Sequence, residues 1–160
     1  MPLLDYMRGQ WATDVSNELN EISGTFPNVN RFYSPAGWFY EGTVQATAFA
    51  YLWDWLGRNE AHEYTLFSEQ PYPRYPALQI TDIMALRDNG NLIVVEVKAD
   101  FNIVSVEDDL AKLTQAYHEL PELVDAFAMY CVRADQAVRW RDQLRRLESE
   151  HVRALAIIKN

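Results

Sequence analysis

The run NLIVVEVKAD at 91–100 constrains the fold more than any other stretch of the chain. Its leucine, isoleucine and valines belong to a strand buried on both faces, as in the middle of a sheet covered by helices on each side. Glu96 and Lys98 stand inside that run, and because strand side chains alternate, the two point the same way. An unpaired carboxylate or ammonium group is costly to bury, so each needs a partner or a metal ion.

The preceding strand, in ALQITDIMAL, supplies another acid in an apolar setting, Asp82. The turn DNG at 88–90 decides whether Asp82 reaches the other two. A two-residue type I′ turn at Asn89-Gly90 would set Asp82 opposite Val97 and face it away from Glu96. A three-residue loop of Asp88, Asn89 and Gly90, with the glycine in the left-handed region, would set Asp82 directly opposite Glu96. Asn-Gly alone favours the first, and glycine at the third loop position favours the second. Burial selects the second, which gathers all three charged groups, provided neither strand carries a bulge elsewhere.

The remaining segments supply the covering layers. A helix is expected over about 6–22, ended by Gly24, Pro27 and the neighbouring asparagines, and a loop with SPAG follows. A second helix over about 38–56, closed by Gly57, carries Glu41, Val44, Gln45, Ala48, Leu52 and Trp55 on one side at helical spacing. A strand is expected at 63–70, and PYPRYP after it is irregular because prolines interrupt it. Beyond the hairpin, Ser105 is expected to cap a helix running to about Leu120, with Asp108 and Asp109 in its first turn. A strand at 126–132, a helix at 135–150 and a last strand, VRALAIIK, complete the chain. The order α-α-β-β-β-α-β-α-β is a three-stranded meander followed by two αβ units, an α/β fold with a mixed central sheet flanked by helices. With no repeat, low-complexity tract or flexible linker, a single domain over 1–160 is expected.

Composition limits the partners. The net charge of −9 disfavours simple coating of nucleic acid or anionic membrane, but not an enzyme with a local basic groove or bound metal ions. Cys131, the single cysteine, permits no internal disulfide and in AFAMYCV reads as a packed core thiol. No apolar span reaches the roughly 18 residues of a membrane helix, and MPLLDYMRGQW lacks a signal-peptide pattern. A soluble cytoplasmic protein without a membrane partner is expected.

Two carboxylates side by side raise the proton affinity of at least one unless a cation sits between them. An oxygen-rich pair such as Asp82 and Glu96 suits Mg²⁺ or Mn²⁺, hard cations that keep several waters. A lysine beside it can orient or help deprotonate the attacking water and offset developing negative charge. The chemistry this group suits is attack of water on a phosphodiester.

Asp82, thirteen intervening residues and then Glu96-Val97-Lys98 on a hairpin resemble the PD-(D/E)XK nuclease superfamily, the fold of many restriction endonucleases. The family order of helix, three strands, helix and strand matches roughly 41–132, within a core of about 38–133. The resemblance implies a restriction-endonuclease-like αβββαβ core, here with an extra N-terminal helix and a C-terminal αβ unit. It implies that Asp82 and Glu96 bind Mg²⁺, with Mn²⁺ as a substitute, that the Val97 carbonyl assists, and that Lys98 activates water. Glu41 matches a further metal-site glutamate on the first core helix, and Gln115, with Tyr117 nearby in KLTQAYHEL, matches a glutamine on the helix after the lysine strand. Thr81 stands where the motif has proline, and the interval from Gln115 to Tyr117 departs from the usual one. The expected activity is Mg²⁺-dependent hydrolysis of DNA; a noncatalytic scaffold or binding subunit and an RNA-cleaving member are the alternatives. Small nucleases of this fold often act as homodimers, which the residues themselves leave open.

Several other residues have plainer readings. Glu69 in the first strand is a rival acid, and Lys112 is read as a solvated lysine rather than a phosphate contact. His62, His118 and His151 show no metal-ligand spacing. The aromatics of GWFY and YLWDW read as core rather than base-stacking groups, and the arginines of RWRDQLRRLESEHVR, interleaved with acids, as a solvated helix face.

Overall fold

The computed structural model describes residues 2–25, 39–72, 80–100 and 102–160. The SPAG loop, Trp38 and most of PYPRYP lie outside the described residues. Among the described residues five strands form one sheet in the order β1-β2-β3-β4-β5: Tyr64–Pro71, Ile80–Arg87, Leu92–Lys98, Leu123–Arg133 and Val152–Lys159. The first three are antiparallel neighbours, and β3, β4 and β5 run parallel. Helices α1 (Leu3–Gly9), α2 (Trp11–Thr25) and α3 (Glu41–Arg58) belong to one layer; α4 (Ile103–Glu119) and α5 (Ala137–Arg145) belong to the other. The fold is therefore the mixed α/β sheet flanked by helices that the sequence indicates. Among the described residues no helix is long and apolar enough to cross a membrane.

Alternation along the strands sorts the core into two clusters. Ile93, Val95 and Val97 of β3 pack with Phe127, Met129 and Cys131 of β4 under α1–α3. Leu92 and Val94 pack with Ala126, Ala128 and Tyr130 under α4 and α5. Burial on both faces answers the continuous apolar runs, as parallel central strands require. Cys131 is fully buried, and burial pushes its thiol up to about 12, so it is an inert core group.

Where the elements differ from expectation, local chemistry accounts for it. The single N-terminal helix is two, broken at Gln10 beside Gly9, a weak helix former. The break lets Trp11 enter the core completely and donate its indole N–H to the Ala48 carbonyl at 3.0 Å. Asn102, not Ser105, caps α4: its side chain accepts the Val104 N–H at 3.1 Å, so the helix begins earlier and no acid lies in its first turn. α5 ends at Arg145, short of 150, because the next polar side chains serve β5 instead. Ser149 accepts the Val152 N–H, and Glu148 accepts the Ala154 N–H.

Polar side chains also close the outer edge of β5. Ser16 of α2 accepts the Ile158 N–H at 3.0 Å. Asn20 donates to the Ile158 carbonyl at 2.7 Å and accepts the Asn160 N–H at 3.1 Å. At the start of β4, Asp125 is almost wholly buried and takes both of its oxygens to Arg8 of α1, at 2.7 and 2.8 Å. His151 approaches the same carboxylate at 3.3 Å, and Tyr117 stacks on His151.

Candidate active site

The β2–β3 hairpin carries the register on which the site depends. Arg87 donates its N–H to the Asn91 carbonyl at 2.9 Å, so Asp88, Asn89 and Gly90 form a three-residue loop. Gly90 has φ +89°, in the left-handed region that glycine adopts freely. The ladder pairs Leu86 with Leu92, Ala85 with Ile93, Met84 with Val94 and Ile83 with Val95. Continued by one step, this register would set Asp82 against Glu96 on the face that Met84 and Val94 share with α4, and the two carboxyls do feel each other's charge. There the backbone ladder stops, and Asp82 Oδ2 accepts the Val97 N–H at 2.7 Å. One carboxylate thus holds the two strands together where they part.

Gln45 supports the same point from the other layer. It is buried one turn into α3 and donates to the Asp82 carbonyl at 3.0 Å and to Ser68 Oγ at 3.1 Å. Its part was not legible in the sequence beyond its place on the sheet-facing side of the helix. Glu41, at the start of α3, accepts a hydrogen bond from the Ala99 backbone. Its carboxyl titrates above the ordinary range, through partial burial and the negative charge of Asp82 and Asp100, with Lys98 opposing.

On the α4 face the acids and lysines interlock. Glu96 is 5% exposed, and Lys112 Nζ lies 3.1 Å from its Oε1. Burial, with Asp82 and Asp109 nearby, pushes the Glu96 carboxyl up to about 7 against the pull of Lys112. Lys98 Nζ lies 3.9 Å from Asp109 Oδ2, and Lys112 Nζ is 3.9 Å from Asp109 Oδ1. Burial opposes the Lys98 charge, yet Asp109, Glu41, Asp82 and Glu96 together hold its pKa above the usual lysine value. Asp109 is buried, its pKa is also raised by burial, and its Oδ2 accepts no hydrogen bond.

The structure therefore brings Asp82, Glu96, Lys98 and Glu41 into one electrostatic neighbourhood. Val97, between the two charged residues, sends its side chain to the opposite core and contributes its N–H here. Gln115 is placed elsewhere: it is exposed and bonded to Glu119 at 3.0 Å. At 3.6 residues per turn, α4 turns Asp109 and Lys112 toward the sheet and carries Gln115 round to its outer flank. Tyr117 likewise faces His151 rather than the acids. Lys112 is a member of the site, not a solvated lysine. Glu69 is exposed on the edge strand with φ +54°, strained for a residue with a Cβ, between pairs that flank Asp82.

The donor chemistry suits a hard divalent cation. Four carboxyls, Glu41, Asp82, Glu96 and Asp109, face two ammonium groups, an excess of negative charge that a dication would offset. Among the described residues no three His, Cys, Asp or Glu side chains close on one point. Mg²⁺ requires less, since it commonly takes one or two carboxylates and retains water. The buried Asp109 oxygen without a hydrogen bond marks unused acceptor capacity at the same place.

No protein-family model matches the chain, and no curated protein does. Among solved structures, one described as "crystal structure of a repair endonuclease from Pyrococcus abyssi" aligns at 15% identity and a TM-score of 0.33. The alignment covers 69% of this chain and 47% of that one, so the chain spans about half of its length.

Proposed function

We propose that the chain is a Mg²⁺-dependent nuclease that hydrolyses phosphodiester bonds of DNA with water as the nucleophile. The observation that carries the reading is the register of the hairpin, which sets Asp82 beside Glu96 with Lys98 on the same face at the end of a buried strand pair. Asp82 and Glu96 would hold the cation, with the Val97 carbonyl and Glu41 as further oxygen donors. When bound, the cation supplies the acidity that makes water a nucleophile near neutral pH and offsets phosphate charge. Lys98 is held as an ammonium group by the acids around it, so its part is to orient water and counter developing charge rather than to accept a proton. Asp82 fixes the β3 backbone through Val97, and Gln45 fixes Asp82 in turn. The same reading takes 1–160 as one cytoplasmic nuclease domain and a homodimer as the form that would cut both strands.

The test is a digest of linear and circular duplex DNA, single-stranded DNA and RNA, with and without Mg²⁺, beside the Lys98→Ala protein. Cation-dependent cleavage of DNA that Lys98→Ala loses is the expected result. Cleavage of RNA alone would reassign the substrate. Cleavage equal in both proteins would remove the mechanism. The close Lys112–Glu96 pair, which gives the Glu96 carboxylate a counter-charge without any divalent cation, favours a second reading as a noncatalytic binding subunit. Mn²⁺ binding that Glu96→Gln does not weaken would favour that one.

A further inference from the structure

The site already contains a cation of the chain's own. Lys112 Nζ sits 3.1 Å from Glu96 Oε1, on the acid that a divalent cation would need. A dication on Glu96 and an ammonium group bonded to the same buried carboxylate are like charges that repel, so each weakens the other's hold on it. Lys112 has somewhere to go. Its side chain is 34% exposed, whereas that of Glu96 is 6% exposed, so the ammonium can reach solvent while the acid stays in place. It also keeps an anchor, because Asp109 lies one turn back on α4 with Oδ1 3.9 Å away. The other oxygen of Asp109 is buried without a hydrogen bond and has Lys98 at 3.9 Å, so Asp109 can hold an ammonium more closely than it now does.

From this geometry we infer that Lys112 is a built-in counter-ion that occupies Glu96 until a divalent cation displaces it, and that the displaced ammonium, still tethered by Asp109, becomes a contact for the phosphate backbone of the nucleic acid. A lysine suits the task because its compact charge sits on a flexible stem and pairs with phosphate without a fixed fork geometry. The consequence is coupling: cation entry creates the phosphate contact, and a bound phosphate, by drawing Lys112 away, eases cation entry. The inference rests on the nuclease reading above.

The closing experiment measures Mn²⁺ affinity by electron paramagnetic resonance on the whole protein without nucleic acid. Lys112→Met should bind Mn²⁺ roughly tenfold more tightly than the parent, within the usual range of coupling between two competing ligands. Lys112→Arg, which keeps the charge, should stay near the parent value, and Glu96→Gln should lose binding. At saturating Mg²⁺, Lys112→Met should need higher DNA concentrations for half-maximal cleavage. Unchanged or weaker Mn²⁺ binding by Lys112→Met, with Glu96→Gln still defective, overturns the counter-ion role and leaves the nuclease reading standing. Parent protein whose Mn²⁺ binding is indifferent to Glu96→Gln overturns both. Lysine ammonium NMR signals of the unsubstituted protein report the exchange without any variant. Addition of Mg²⁺ should move the Lys112 signal more than other lysine signals, and an unmoved signal overturns the inference.

Discussion

Replacing Glu96 with glutamine should make the cation-free protein more stable at alkaline pH. Folding moves this carboxyl from an ordinary glutamate value near 4.5 to about 7. The side chain is 6% exposed, so solvent screens the effect little. Between those values the folded chain retains a proton that the unfolded chain releases, and stability from this group falls as pH rises through the window. A rise of that size corresponds to about 3 kcal/mol once both states are ionised, near pH 8. Glutamine keeps the shape and removes the charge. It also weakens the Lys112 contact, which offsets part of the gain, so an advantage of about 1–3 kcal/mol at pH 8 is expected. For a chain of 160 residues each kcal/mol moves the midpoint by about 2–4 °C. Thermal or urea unfolding in EDTA from pH 4.5 to 8 reads the difference; Asp109 and Glu41 titrate in both proteins and largely cancel. The curves should converge near the unfolded glutamate value at the acid end, draw apart as pH rises through the window, and reach full separation above about pH 7. Parallel curves, or a glutamine protein no more stable than its parent at pH 8, would refute the assignment of a burial-strained charge to Glu96. Mg²⁺ at pH 8 should raise the midpoint of the parent and leave the variant unmoved.

Asp82→Ala should lose cleavage and Mn²⁺ binding while costing about 1–3 kcal/mol of stability, because the Val97 N–H loses its acceptor; activity assays and urea midpoints check both. Gly90→Ala should cost about 1–2 kcal/mol through its left-handed φ alone, since an added Cβ meets nothing within 4 Å. Arg8→Met should destabilise by about 3–5 kcal/mol by leaving the buried Asp125 carboxylate short of its main partner. The double variant with Asp125→Leu should regain much of that, measured by the same unfolding curves.

Most of the sheet was legible because its signals are local. Apolar runs marked β3 and β4, VRALAIIK marked β5 over its full length, and glycine at the third position of DNG indicated the hairpin register that pairs Ile83 with Val95. The α4 face was misread for an equally local reason. Taking Ser105 as the cap put Asp109 in the first turn, answering to the helix end, whereas with Asn102 as the cap it lies further in, buried with Val106, Leu110 and Leu113. That spacing was available in the sequence, and with it the charged partners for β3 would have been found. Gln45 and Arg8 could not be found this way. Their roles depend on how whole helices dock against the Asp82 backbone and Asp125, which single-chain periodicity does not encode.

The polar hold of α2 on β5 has a consequence beyond the monomer. VRALAIIK is an apolar, strand-prone segment with proline nowhere in it, and such a segment exposed at a sheet edge can template stacking of further chains. Ser16 and Asn20 occupy donors and acceptors that an incoming strand would use. A protein cut back to the start of α3 would present that edge bare, and fibrils grown from it would be the mark of what α2 normally prevents.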